Sequence, residues 1–159
     1  MQDAAGRWLA QLDYPMFIVT ARDGEERSGC LIGFATQCSI DPLRVIVCLS
    51  DKNRTYRVAQ GTDVLGVHLV PADRDDLAQL FGSQTGDEID KFARCAWHEG
   101  PAGVPVVEGC PNWFAGRVLA RFDAGDHDAF LLEPIAGESA DESEFTFHRA
   151  KRIDAGHEA

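Results

Sequence analysis

At 159 residues, with 45% hydrophobic and 26% charged side chains, the chain has the size and balance of one soluble domain able to bury a real core. Its net charge of −11 argues against nucleic acid and anionic membrane as partners, since both reward basic patches. No apolar run reaches the length of a membrane span, no hydrophobic leader follows a basic start, and the five cysteines include no CxxC pair, so a reduced, cytoplasmic protein without a disulfide framework is expected.

Residues 3–12 predict a short amphipathic helix with Trp8, Leu9 and Leu12 on one side, a cap for the fold or for a partner subunit. Met16–Ala21 and Arg27–Ala35 read as strands, with Asp23-Gly24 as the hairpin turn between them. From Ser28 to Tyr56 the chain reads SGCLIGFATQCSIDPLRVIVCLSDKNRTY: strand, polar loop, strand, polar loop, helix start. Its first strand carries two glycines, which often mark close backbone approach to a ligand. Thr36, Gln37, Cys38 and Ser39 follow as the first loop, and Asp41-Pro42 marks a turn. Val45–Leu49 is an apolar, β-branched run of the kind buried on both faces. Ser50–Thr55 is the second loop and ends at the helix N-terminus.

Set at the same ends of neighbouring strands, the two loops would make one ledge. Cations, hydroxyls and a helix N-terminus in the second suit a phosphate, and backbone N–H groups in the first suit a flat polar ring. The residues point to a phosphorylated, planar small molecule; a sheet with merely solvated loops is the alternative they leave open.

Further along, Thr55–Gln60 completes a helix stopped by Gly61, and Val64–Val70 is a strand in which His68 is expected to be packed and hydrogen-bonded. A helix begins at Asp73 and sets Leu77, Leu80 and Phe81 on one core-facing side. Residues 83–104 are the least regular, with a short helix around Glu88–Phe92; Lys91 is left either to reach a phosphate or to be solvated. Trp97-His98-Glu99 reads as surface or loop packing. Pro105–Val107, Trp113–Phe122 and His127–Ile135 read as closing strands, the last two joined at Gly125-Asp126. An acidic linker, 138–143, leads to a last short strand at Phe145–His148. One domain over residues 1–150 and a polar tail over 151–159 are expected. Seven or so strands with minor helices favour a small antiparallel barrel over a parallel α/β sheet.

The chain has no G-x-G-x-x-G, P-loop, HExxH or nucleophile elbow, and its five histidines show no joint metal spacing, so no metal site is expected. An enzyme with so few acid–base signatures fits chemistry carried by an organic cofactor.

GFATQCSIDP followed by VCLSDKNRTY resembles the flavin reductase-like family, the FMN-binding split barrels, and the GVHLV, LAQLFG, PVVEG and GDH segments extend the likeness over Tyr14–Gly137. The resemblance implies a mainly β fold with minor helices, an antiparallel Greek-key split β-barrel. It implies an NAD(P)H-dependent flavin reductase that passes hydride to FMN or FAD, a homodimer, and a separate oxygenase component that receives the reduced flavin. Phe34, Ala35, Thr36 and Gln37 would lie along the ring and ribityl chain, with Ser39 on the ribityl or phosphate. Ser50, Lys52, Asn53 and Thr55 would address the phosphate, Arg54 would share that charge or face solvent, and Phe81-Gly82 would approach the flavin. His127, a structural residue on local pattern alone, becomes the catalytic-site residue on the substrate side. A fixed flavin or deazaflavin serving another acceptor, and a non-catalytic flavin-binding module, are the rival readings.

Overall fold

The computed structural model describes residues 2–83 and 89–153, and over them the chain forms nine strands and four α-helices. In chain order these are α1 (Gln2–Leu9), β1 (Phe17–Asp23), β2 (Glu26–Ile32), β3 (Ala35–Ser39), β4 (Arg44–Ser50), α2 (Arg54–Ala59), β5 (Val64–Leu69) and α3 (Asp75–Ser83). A 3₁₀ turn (Lys91–Ala93) precedes β6 (Trp97–Glu99), a second (Pro101–Gly103) leads to β7 (Pro105–Val107), and β8 (Trp113–Asp123), β9 (His127–Glu138) and α4 (Phe147–Ala150) follow. Glu88 of the expected short helix and 154–159 of the expected tail lie outside the described residues.

Seven strands form one antiparallel sheet in the order β2-β1-β5-β8-β9-β4-β3. β2 and β3 are therefore its two edges, yet only Gly33 and Phe34 separate them in the chain. Three Cα steps span at most about 11 Å. The edges must meet there, so the sheet rolls into a barrel split between β2 and β3, as expected. Hairpins β1–β2, β3–β4 and β8–β9, joined by longer crossings, give the Greek-key order.

Alternation along β1 feeds two cores, since both of its faces are covered. Val19 and Ala21 join Val47, Leu49, Leu65, Phe130 and Leu132 in one cluster. Ile18 joins Val70, Leu77, Phe81, Phe92 and Phe145 in the other, beneath α3. Each of the Val, Leu, Ile and Phe side chains among them contributes roughly 1.5–3 kcal/mol by leaving water. His68 on β5 is fully buried, as expected, with both ring nitrogens engaged: Nδ1 lies 3.0 Å from the Ile18 carbonyl, and Nε2 accepts the Val107 N–H at 3.0 Å. Desolvation lowers its pKa from 6.5 to about 4.

Several local expectations are corrected. Thr36–Ser39 is not a loop: Ala35–Ser39 pairs with β4 as an edge strand, where one face can stay polar. β4 is not buried on both faces. Val47 and Leu49 point into the barrel, whereas Ile46 and Cys48 are half-buried. β7 does not join the barrel; it pairs with β6, making Trp97–Glu99 a strand. Residues 147–150 turn into a helix rather than extend, after isolated bridges at Pro71–Glu144 and Pro15–Thr146. Lys91 neither reaches the cleft nor is solvated. It is 6% exposed and donates to the carbonyls of Gly29 (2.9 Å) and Phe81 (3.1 Å), and burial lowers its pKa.

Candidate functional site

At the split a cavity of about 280 Å³ opens, with Ser50, Asn53 and His127 at a polar end and Leu31, Ile32, Phe34 and Cys48 on its walls. A second cavity, about 470 Å³, shares Tyr14, Gly33, Phe34 and Cys48 with it and runs on past Ile46 and Thr36 to Leu9 and Leu12. Both fall in or near the usual range of small-molecule pockets, roughly 300–1,000 Å³. The half-buried face of β4 thus forms the floor of a cleft.

Register builds the polar end. Ser50 closes β4 directly opposite His127, the first residue of β9. Beyond Ser50 the chain turns tightly: its hydroxyl accepts the Lys52 N–H at 3.3 Å and its carbonyl the Asn53 N–H at 3.0 Å. Asn53 then caps α2, its Oδ1 accepting the Thr55 N–H at 2.9 Å. Beside Ser50 on the adjoining strand, His127 sits between two neighbours. Its Nδ1 lies 2.6 Å from the Asp126 carboxylate, and its ring centroid lies 5.2 Å from that of Phe34, tilted by 50°. The contact with His127 holds the Asp126 carboxyl below the ordinary range, with Lys52 adding to the effect. Phe34 is 56% exposed, so its ring is open to whatever enters the cleft.

Of the residues expected to bind, Phe34, Ser50, Asn53, Gly82 and His127 converge on the first cavity, and Ala35 and Thr36 line the second. Lys52 is exposed on the loop beside Ser50, and Arg54 is paired with Glu26 at 2.9 Å. The ledge as drawn from sequence does not form. Ser39 pairs with Arg44, at the opposite end of β4 from Ser50, roughly 20 Å away at about 3.3 Å per residue. Gln37 and Ser39 line an open surface at that far end instead. Antiparallel pairing is the reason: the start of β3, not its polar end, meets the end of β4.

Thr55 and Phe81 are also elsewhere. Thr55 is fully buried with its hydroxyl 2.8 Å from that of Ser28, and Phe81 is 2% exposed, edge-on to Phe92 at 5.7 Å. Each lies on the core-facing side of its helix. Tyr14, Met16, Cys48 and Phe147 line the cavity without having been singled out; Tyr14 and Phe147 stack at 4.7 Å. One signal was present. Gly33 is the close approach that its strand suggested, but to the protein's own ring: a Cβ there would stand 2.5 Å from Tyr14 Cε2. Among the described residues no group of three or more His, Cys, Asp or Glu side chains is placed to hold a metal ion, and no helix is long and apolar enough to cross a membrane.

A family model described as flavin reductase like domain matches residues 9–155. A curated relative from Rhizobium rhizogenes, an FMN reductase (NADH) RutF 2, is 31% identical over 80% of this chain and 73% of its own. The NADH:FAD oxidoreductase SgcE6 of Streptomyces globisporus superposes with a TM-score of 0.82, at 19% identity, over 98% of this chain and 90% of that one. A homologue of nitrilotriacetate monooxygenase component B from Mycobacterium thermoresistibile superposes at 0.78, with 22% identity, over 90% and 78%. These structures share the split-barrel fold.

Proposed function

The chain belongs to the flavin reductase-like family, and from that premise we propose that the cleft at the β2–β3 split is where it carries out NADH-dependent reduction of FMN or FAD. The observation that carries this placement is the convergence of Phe34, Ser50, Asn53 and His127, from three different segments, on one cavity. The donor set fits a flavin. An apolar wall of Leu31, Ile32 and Cys48 suits a flat ring system, and the Ser50–Asn53 loop, with Lys52 beside it, suits a phosphate.

When bound, the flavin supplies the hydride-accepting ring chemistry. The chain's own residues bind, orient and shield. Phe34 stacks against whichever ring enters beside His127. Ser50 and Asn53 fix the polar end by hydrogen bonds. His127 stands beside the β4 floor, paired with Ser50, and holds the reductant in register with the ring. The full purified chain, titrated with FMN and then given NADH without oxygen, is expected to bind FMN and bleach its long-wavelength band. Binding without bleaching by either nicotinamide would move the reading to a fixed-cofactor or non-catalytic role.

The same reading makes the protein a homodimer in the cytoplasm that hands reduced flavin to a separate oxygenase. Exposed Trp8, Leu9 and Leu12 near α1, with Ile40 and Leu43 beyond the β3 edge, support a covering copy. Sedimentation of the full chain is expected to give twice its 17.4 kDa mass. The component B likeness supports the oxygenase partner.

A further inference from the structure

His127 is held from behind, and the residue that holds it has no role so far. Asp126 occupies the β8–β9 turn, which is itself pinned: Gly125 takes φ 138°, its N–H donates to Asp123 Oδ1 at 2.8 Å, and the Ala124 N–H donates to the His127 carbonyl at 2.9 Å. From the loop that follows β4, continuing the β4–β9 pairing, the Asp51 N–H donates to the Asp126 carbonyl at 3.0 Å. The backbone of Asp126 therefore ties the β9 start to the Ser50–Asn53 loop, while its side chain lies 2.6 Å from His127 Nδ1.

We propose that Asp126 is the positioning residue of the site: its carboxylate takes the Nδ1–H of His127, fixes the ring against Phe34, and leaves Nε2 as a hydrogen-bond acceptor for a donor on the bound substrate. The proposal rests on the flavin reductase reading for its activity arm. The chemistry follows from the ring itself. A neutral imidazole has one donor nitrogen and one acceptor nitrogen, and the partner of one decides the role of the other. A carboxylate has only acceptors, so at Nδ1 it selects the Nδ1–H form. Free imidazole side chains have no such fixed direction. With Phe34 5.2 Å away on another side, the ring is also restrained in rotation. In the adjoining loop, Asn53 is likewise held, by capping α2.

Asp126 is exposed, at 70% of its side chain, so its removal should leave folding intact and make the test clean. Wild type, Asp126→Ala and Asp126→Asn are compared as full chains by imidazole ¹⁵N NMR, FMN titration and steady-state NADH oxidation. Asp126→Ala is expected to shift the His127 resonances away from the Nδ1–H pattern and lower kcat roughly 10- to 100-fold, the scale of a misplaced group. FMN affinity should stay within about twofold. Asp126→Asn keeps an acceptor oxygen, so most of the Nδ1–H pattern and of kcat should return. An unchanged His127 spectrum or an unchanged kcat in Asp126→Ala overturns the proposal. So does an equal loss in Ala and Asn with the tautomer intact. A wild-type protein that fails to bleach FMN would overturn the flavin reductase reading, while the NMR arm still decides whether Asp126 sets the ring of His127.

Discussion

The two histidines of the barrel show two opposite uses of one side chain. His68 stands on β5 with no exposed surface, one nitrogen on β1 and the other on the residue that ends β7. His127 stands at the open split, with one nitrogen on a carboxylate and a ring face against an exposed Phe34. In the closed wall every polar atom of the ring serves the fold, and the ring cannot be recruited for anything else. At the split the fold spends only Nδ1 and leaves the rest of the ring to whatever enters the cleft. The same difference separates the strands themselves: β1 and β5 are buried on both faces, whereas β4 buries only its inward face and offers the other to the cavity.

That contrast can be broken at several points. His68→Leu would leave the Val107 N–H without its partner in the interior and remove a bond to the Ile18 carbonyl, and a loss of roughly 1–3 kcal/mol is expected in urea unfolding. A loss under about 1 kcal/mol would mean that the wall tolerates those groups unbonded. A pH series tests the same residue without mutation. The unfolded chain takes up this proton near 6.5, but the folded one does so only near 4. Between those values the unfolded state binds more protons, so stability falls as the pH is lowered through that window, by about 3 kcal/mol at most, and is level above it. Thermal melts of wild type and of a His68→Gln variant that still folds should diverge in slope there, and parallel curves would remove His68 as the cause.

At the split the expected effects move from stability to activity. His127→Ala, at a side chain 20% exposed, should change unfolding free energy by about 1 kcal/mol or less, yet lower kcat for NADH oxidation roughly 10- to 100-fold. A variant with the wild-type rate would remove His127 from the site. Phe34→Ala should weaken FMN about 10-fold, the loss of one aromatic contact of about 1–1.5 kcal/mol, as read by fluorescence titration. Ser39→Ala, at the far end of β4, should leave FMN affinity within about twofold; a large change would restore the ledge as first drawn.

Much of this molecule was legible in its residues. Asp23-Gly24 and Gly125-Asp126 mark hairpins that form where expected, and Gly24 and Gly125 take positive φ there. The apolar runs around Val19, Val47, Leu65 and Phe130 became strands because alternation and β-branching are local properties. His68 could be read as a packed histidine from its neighbours alone. Likeness to the family was legible too, in the order of GFATQCSIDP, VCLSDKNRTY and Gly-Asp-His.

Tertiary structure decided what local pattern could not carry. Which end of β3 meets which end of β4 is a matter of pairing direction, and it put Phe34, whose carbonyl takes the Cys48 N–H, rather than Ser39 towards the Ser50 end of β4. Which face of a helix turns inward sent Thr55 and Phe81 to the cores. Tyr14 and Phe147, at distant points in the chain, became stacked neighbours lining the cleft only because the chain after β9 returns past β1. Composition and periodicity determined the strands and the turns, because those depend on residues a few positions apart. The site is made at the closing of a seven-stranded sheet, where contacts between residues far apart in sequence are set by register and curl.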